Sequence, residues 1–187
     1  MINFGQKVRS ENLKGKIWMT SDLHFGHKNI LKFCPDTRKF IDIQDMEDSL
    51  IEEWNNTVSP EDVVIDHGDF SFLGADKTKE ILSKLNGHII HIFGNHAKSI
   101  RNGLKVDGYD YFEFRYNGIK IVCNHYAQRV WNGSHFGAIH TYGHSHGSME
   151  GIGRSMDVGY DAVGRIISLD EVVELMQNVP THKEDHH

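Results

Sequence analysis

The chain has 187 residues, 39% of them hydrophobic and 25% charged, with 18 Gly, three Pro and two Cys. That balance excludes a disordered chain, a collagen-like chain and a disulfide scaffold, and the length fits one domain with a real core. The net charge of −6 argues against a general polyanion-binding surface, without excluding a local basic pocket.

Strands and helices alternate along the chain. Lys16 to Ser21 reads as a strand. Met46, Leu50, Trp54 and Val58 recur every four residues, which predicts an amphipathic helix from about Asp45 to Thr57. Val63-Val64-Ile65 is a short buried strand running into Asp66-His67-Gly68-Asp69. Ile81, Leu82 and Leu85 mark a second helix, with Asp76 as its N-cap and Gly87 just past its end. His88 to Phe93 is a strand. Tyr111 to Tyr116 and Ile119 to Asn124 flank Asn117-Gly118, a hairpin signal. Ala138 to Tyr142 and a segment near Arg165 to Ile167 are the last strands. Ser168-Leu169-Asp170-Glu171 opens a helix to about Gln177. Residues 1–180 read as a single domain and 181–187 as a polar, frayed tail. With no export signal and no apolar run long enough to span a membrane, the expectation is a cytoplasmic protein with two reduced thiols, Cys34 and Cys123.

The strand-helix units followed by a hairpin-rich second half imply a layered α/β domain. Polar clusters sit where the apolar strands end: Asp22-x-His24, Gly68-Asp69, Gly94-Asn95-His96, Asn124-His125 and Gly143-His144-x-His146. Ligands bind at the carboxyl ends of strands in α/β sheets, so five such clusters can converge on one site. Asp22, His24, Asp69, Asn95, His125, His144 and His146 offer oxygen and imidazole donors without a thiolate. That set suits Mn, Fe, Zn, Ni or Co rather than a closed Cys-based zinc site. Seven ligands exceed the need of one tetrahedral ion but suit two ions sharing a carboxylate. A metal pair about 3.5–4 Å apart is a device for in-line displacement at phosphorus.

These motifs, in this order, resemble those of the calcineurin-like metallophosphoesterases. The flanking text Asp22-Leu23-His24-Phe25-Gly26-His27-Lys28-Asn29 and His125-Tyr126 is similar to the small bacterial and phage members. The resemblance implies a four-layer α-β-β-α sandwich of two mixed sheets. It implies two divalent ions, manganese foremost for activity. Asp22, His24 and His146 would hold one and Asn95, His125 and His144 the other, with Asp69 bridging. A metal-bridging hydroxide would attack phosphorus, Asn95 and His96 would lie against the substrate phosphate, and His96 and His27 would assist the leaving group. Arg38 and Arg129 are candidate phosphate contacts, because the guanidinium fork suits phosphate. Where many members carry an acidic residue after the Asn-His pair to orient the His, this chain has Ala97; Asp66 and His67 are candidate substitutes.

The expected substrate is a phosphorylated small molecule or nucleotide, with diesters slightly ahead of monoesters; a nucleic acid stays open and a membrane partner is not expected. The alternatives are a catalytically silent scaffold of the same fold, as in a retromer subunit, and a metal-storage protein. Taken one at a time, the seven ligand residues also suit capping and buried hydrogen bonding. His67, His88, His91 and His140 suit packing, His135 is open, Trp18, Trp54 and Trp131 suit core or cleft walls, and His182, His186 and His187 belong to the tail.

Overall fold

The computed structural model describes residues 15–181, and the tail from residue 182 onward lies outside them. Strands β1 (Ile17–Thr20), β2 (Val63–Asp66), β3 (His88–Ile92), β4 (Asp107–Tyr109) and β9 (Ile167–Ser168) form one sheet in the order β4-β3-β2-β1-β9. All its pairings are parallel except β1 with β9. Strands β5 (Phe112–Tyr116), β6 (Ile119–Cys123), β7 (Ile139–Tyr142) and β8 (Ser155–Asp157) form the second sheet in sequence order. There β5 and β6 are antiparallel, and β6, β7 and β8 run parallel. The protein is therefore an α/β fold with two mixed sheets.

The period-two alternation of strand side chains builds the layers. Met19, Ile65, Ile90 and Ile92 of the first sheet meet Phe112, Ile121, Cys123 and Ile139 of the second in one apolar core. The residues between them, such as Val64, face the other way and pack against helices α2 (Ile43–Thr57), α3 (Ala75–Leu82) and α4 (Lys98–Gly103). On the outer face of the second sheet, Val122 packs with Trp131 and Ala138. Trp131 Nε1 donates to Ala138 O at 3.0 Å. Among the described residues, that outer cluster contains no helical residue, so a loop occupies the place where a fourth helical layer was expected. Helix α6 (Leu169–Met176) instead sends Leu169 and Val172 into the core between the sheets.

Most predicted elements stand where expected, with end corrections. Helix α2 starts at Ile43 because Asp42 caps it, accepting from Asp45 N at 2.9 Å. Its face Met46, Leu50 and Trp54 is buried. Helix α3 is capped at Gly74, with Asp76 inside the first turn, and it ends at Leu82 rather than near Gly87. Asn117 and Gly118 take φ of 48° and 82°, the left-handed pair that a two-residue hairpin needs. Ser168 caps α6 by accepting from Glu171 N at 3.2 Å. The last strand falls at Ile167–Ser168 rather than from Arg165. The short elements α1 (Ile30–Phe33), α4, β4, β8 and α5 (Tyr160–Val163) carry too little periodicity to read from the chain. Cys34 and Cys123 are both free thiols. Among the described residues, no helix is long and apolar enough to cross a membrane.

Trp54 anchors this frame. It is 1% exposed, and its Nε1 donates to Asn86 O at 2.9 Å across to the loop before β3. Trp54→Ala is expected to lower unfolding free energy by about 3–5 kcal/mol, read from the denaturant midpoint, because it opens a cavity and strands a carbonyl.

Candidate metal centre and cleft

The five polar clusters follow β1, β2, β3, β6 and β7 at their carboxyl ends. Parallel pairing within each sheet puts these ends on one side, and backbone bonds join the loops. Asp22 N donates to Gly68 O at 2.9 Å, His24 N to Asp69 O at 3.1 Å, and Gly143 N to His125 O at 3.0 Å. Across the two sheets, Asp22 Oδ2 accepts from His144 N at 2.8 Å.

The backbone here is held in an unfavourable region. Among the described residues, six that are not glycine have positive φ, and five of these are Asp22, His24, Asp69, His144 and His146. Each such residue costs about 1 kcal/mol or more and persists only where its surroundings dictate it. Gly68, at φ 111°, also allows close approach: a Cβ there would lie 2.7 Å from His125 Nδ1.

The expected donors fall into two groups, and Cys34, His146 and Asp161 make a third cluster beside them. Asp22, His24 and His146 form one, with His24 Nε2 and His146 Nε2 at 3.7 and 3.9 Å from Asp22 Oδ1. Asp69, His125 and His144 form the other, with His125 Nε2 3.6 Å from Asp69 Oδ2. Asn95 Oδ1 joins the second group 3.0 Å from His125 Nε2. Asp22 Oδ1 and His24 Nε2 are buried yet have no hydrogen-bond partner in the protein. Leaving such atoms unpaired costs about 1–3 kcal/mol each, and a cation between them would satisfy both. The donors thus fit divalent ions of the borderline class.

Behind these groups, other residues set their orientation. His146 Nδ1 donates to Asp161 Oδ2 at 2.7 Å, leaving Nε2 toward Asp22. Arg38 grips the same carboxylate with Nε at 2.8 Å and Nη2 at 2.9 Å, and Thr37 donates to it at 2.5 Å. Arg38 Nη2 also donates to the backbone O of Asp22 at 2.5 Å, and the guanidinium lies over the Tyr160 ring. Arg38 is 2% exposed, which corrects its assignment as a phosphate contact: its fork is turned inward onto a carboxylate. His125 Nδ1 donates to His67 O at 2.8 Å. His27 Nδ1 lies 3.2 Å from His24 Nδ1, and in the tautomer where His24 Nδ1 donates, His24 Nε2 is left to bind a cation.

Burial opposes ionisation of Asp22, but the nearby His24, His146 and His125 outweigh it and hold its carboxyl below the usual range. Burial and the neighbouring His125 push His144 down, whereas in His146 the bond to Asp161 and the charge of Asp22 overcome burial and raise it. His67 is packed between the sheets against Thr141 Oγ1 at 2.8 Å, and burial pushes its pKa down to about 3. His140 is likewise buried and pushed down to about 4, bonding Val122 O. Asp66 pairs with His91 at 2.8 Å. Neither Asp66 nor His67 therefore serves His96.

A cleft of about 660 Å³ opens over the donors, lined by His27, Phe33, Phe72, His96 and His144 among others. A second recess of about 630 Å³, bordered by Lys98, Ser99 and Asn102, shares Phe72, Asn95 and His96 with it. His96 and His27 both border this cleft. Arg129 is exposed on the segment after β6 and does not line either recess. Asp161 and Phe72 went unnoticed in the sequence, since neither lies in a motif.

No family model matches the chain. It is 33% identical over 172 residues to the uncharacterized protein MJ1445 of Methanocaldococcus jannaschii, spanning 87% of this chain and 92% of that one. The Gene 66 protein of Mycobacterium phage L5 is 26% identical over 207 residues, spanning 90% of this chain and 96% of the phage protein. Among solved structures, the protein of unknown function AQ665 from Aquifex aeolicus superposes with a TM-score of 0.69 at 24% identity, over 87% of this chain and 100% of that one. That likeness speaks to the fold alone. Identity at this level along nearly the whole length of both chains is kinship, and the chain belongs to the family of the uncharacterized protein MJ1445.

Proposed function

We propose that this protein is a dinuclear metal-dependent phosphoesterase of the calcineurin-like type, built on its two mixed sheets. The carrying observation is the pair of Asp/His donor groups at four strand ends, with Asn95 from a fifth, on a strained backbone that buries Asp22 Oδ1 and His24 Nε2 without partners. Asp22, His24 and His146 would hold one ion, Asn95, His125 and His144 the second, and Asp69 both. Two divalent ions bound there would withdraw charge from the phosphoryl oxygens and make a water nucleophilic near neutral pH.

The chain's own residues complete the chemistry. His96, exposed in the cleft beside Asn95, is placed to contact the phosphate and to protonate the departing oxygen. His27 keeps the His24 ring in register and borders the same space. The two recesses that meet at Phe72, Asn95 and His96 offer room for a group on either side of the phosphorus, which supports a diester over a monoester.

The test is metal content and turnover together. After chelation and reloading, the protein is expected to bind two equivalents of Mn²⁺ and to hydrolyse bis-p-nitrophenyl phosphate faster than p-nitrophenyl phosphate. Fewer than two equivalents at saturation, with neither compound turned over, would defeat the reading; two equivalents without turnover would favour the silent scaffold.

A further inference from the structure

Phe72 sits between the two recesses, in no motif, and is 37% exposed. Its backbone is firmly placed: Ser71 bridges Phe25, and Phe72 N donates to Phe25 O at 2.8 Å. Its ring stacks on His27 at 4.1 Å between centroids and 10° between planes. On His96 the values are 4.2 Å and 31°. The first contact is stacked and the second tilted, and His24 lies further off at 5.1 Å and 27°. Two rings that close cannot share one face of a phenyl ring, so Phe72 is interleaved between His27 and His96.

His96 needs such a partner. Among the described residues its ring has no hydrogen bond or ion pair; only its backbone N is held, by Asp69 Oδ1 at 2.9 Å. The next residue, Ala97, is buried and has no carboxylate to offer. Without a hydrogen-bonded orienter, an exposed imidazole samples several rotamers and presents its proton poorly.

We propose that Phe72 is the positioning residue for both His96 and His27, clamping one on each face and aiming both into the cleft. An aromatic face thereby does by packing what a carboxylate does by hydrogen bonding. The consequence for catalysis rests on the phosphoesterase reading; the clamp itself does not.

The experiment uses the full chain with Phe72→Leu and Phe72→Tyr. The first readout is NMR of the His27 and His96 ring protons in zinc-loaded protein. Phe72→Leu is expected to abolish the ring-current shifts of both imidazoles, and Phe72→Tyr to retain them. The second readout is hydrolysis of phosphodiesters with progressively poorer leaving alcohols in Mn²⁺. For Phe72→Leu the loss should grow as the leaving group worsens, reaching about 10²-fold in kcat for an alkyl ester. KM should stay within a few-fold of the parent at saturating Mn²⁺, and Phe72→Tyr should restore kcat. Unmoved ring shifts, or a loss equal for all leaving groups, in Phe72→Leu would overturn the proposal. If the parent protein hydrolyses none of the esters, the phosphoesterase reading falls, and the ring shifts alone decide whether Phe72 is the clamp.

Discussion

Asp69→Asn is expected to abolish phosphodiester hydrolysis and to reduce Mn²⁺ binding below two equivalents. The Asp69 carboxylate is 3% exposed, its Oδ1 accepts from His96 N at 2.9 Å, and its Oδ2 lies 3.6 Å from His125 Nε2. The amide removes a negative charge from a site that would hold two dications, and it can turn an NH₂ donor toward groups that require an acceptor. Substituting a residue behind a metal ligand typically costs 10–100-fold in affinity or activity. A shared ligand should cost more, so a fall in kcat/KM of at least about 10²-fold is expected, with an unchanged circular dichroism spectrum. Metal analysis and an ester assay on the same sample check it. A variant that keeps both ions and full activity would refute the shared-ligand assignment.

Asp161→Ala should be the most damaging change outside the donor set. Both the Asp161 and the Arg38 side chains are at most 1% exposed, and Arg38 would be left charged and unpaired among Asp22 O, Leu23 O and Tyr160. Breaking a buried pair in this way costs about 3–5 kcal/mol, read as a lower urea midpoint. His146 would also lose the acceptor that fixes its ring, so affinity at the Asp22–His24–His146 group should drop by about 10–100-fold. Joint replacement, Arg38→Met with Asp161→Leu, should recover part of the stability but not the metal affinity, because it removes the stranded charge without restoring the acceptor. A single variant with a parental midpoint would sink the argument.

The same pair sets an acid limit. Burial works against ionisation of Asp161, but the bonds from His146 and Arg38 outweigh it and hold its carboxyl far below the usual carboxylate range. A folded pKa below the unfolded one adds stability that is present above the unfolded value, about 3.9, and is lost as pH falls toward the folded one.

Much of the candidate site was legible in the sequence because its donors are local in motif and end on strands that period-two patterning reveals. His146 could be grouped with Asp22 and His24 only by resemblance, since they lie at opposite ends of the motif order. Arg38 shows why the reading stops there. As sequence, Arg38 and Arg129 look alike, each a single Arg some way after a motif. Arg38 lies 123 residues from the carboxylate that claims it, and nothing local announces Asp161. The missed elements fail for a related reason: β4 is Asp107-Gly108-Tyr109 and α4 has six residues, too short for a period to appear. The fourth layer differs because Trp131, a large apolar residue on a loop, covers Val122 without needing a helix.

By itself, then, the sequence determined the α/β class, the main strands and helices, and the chemistry of the donors, because side-chain period and residue type are properties of neighbouring positions. Only the tertiary structure decided that Asp22 Oδ1 and His24 Nε2 are buried without partners, that Arg38 is turned inward, and that Phe72 separates His27 from His96. Those are contacts between distant segments, and their energies depend on burial and orientation that no local pattern carries.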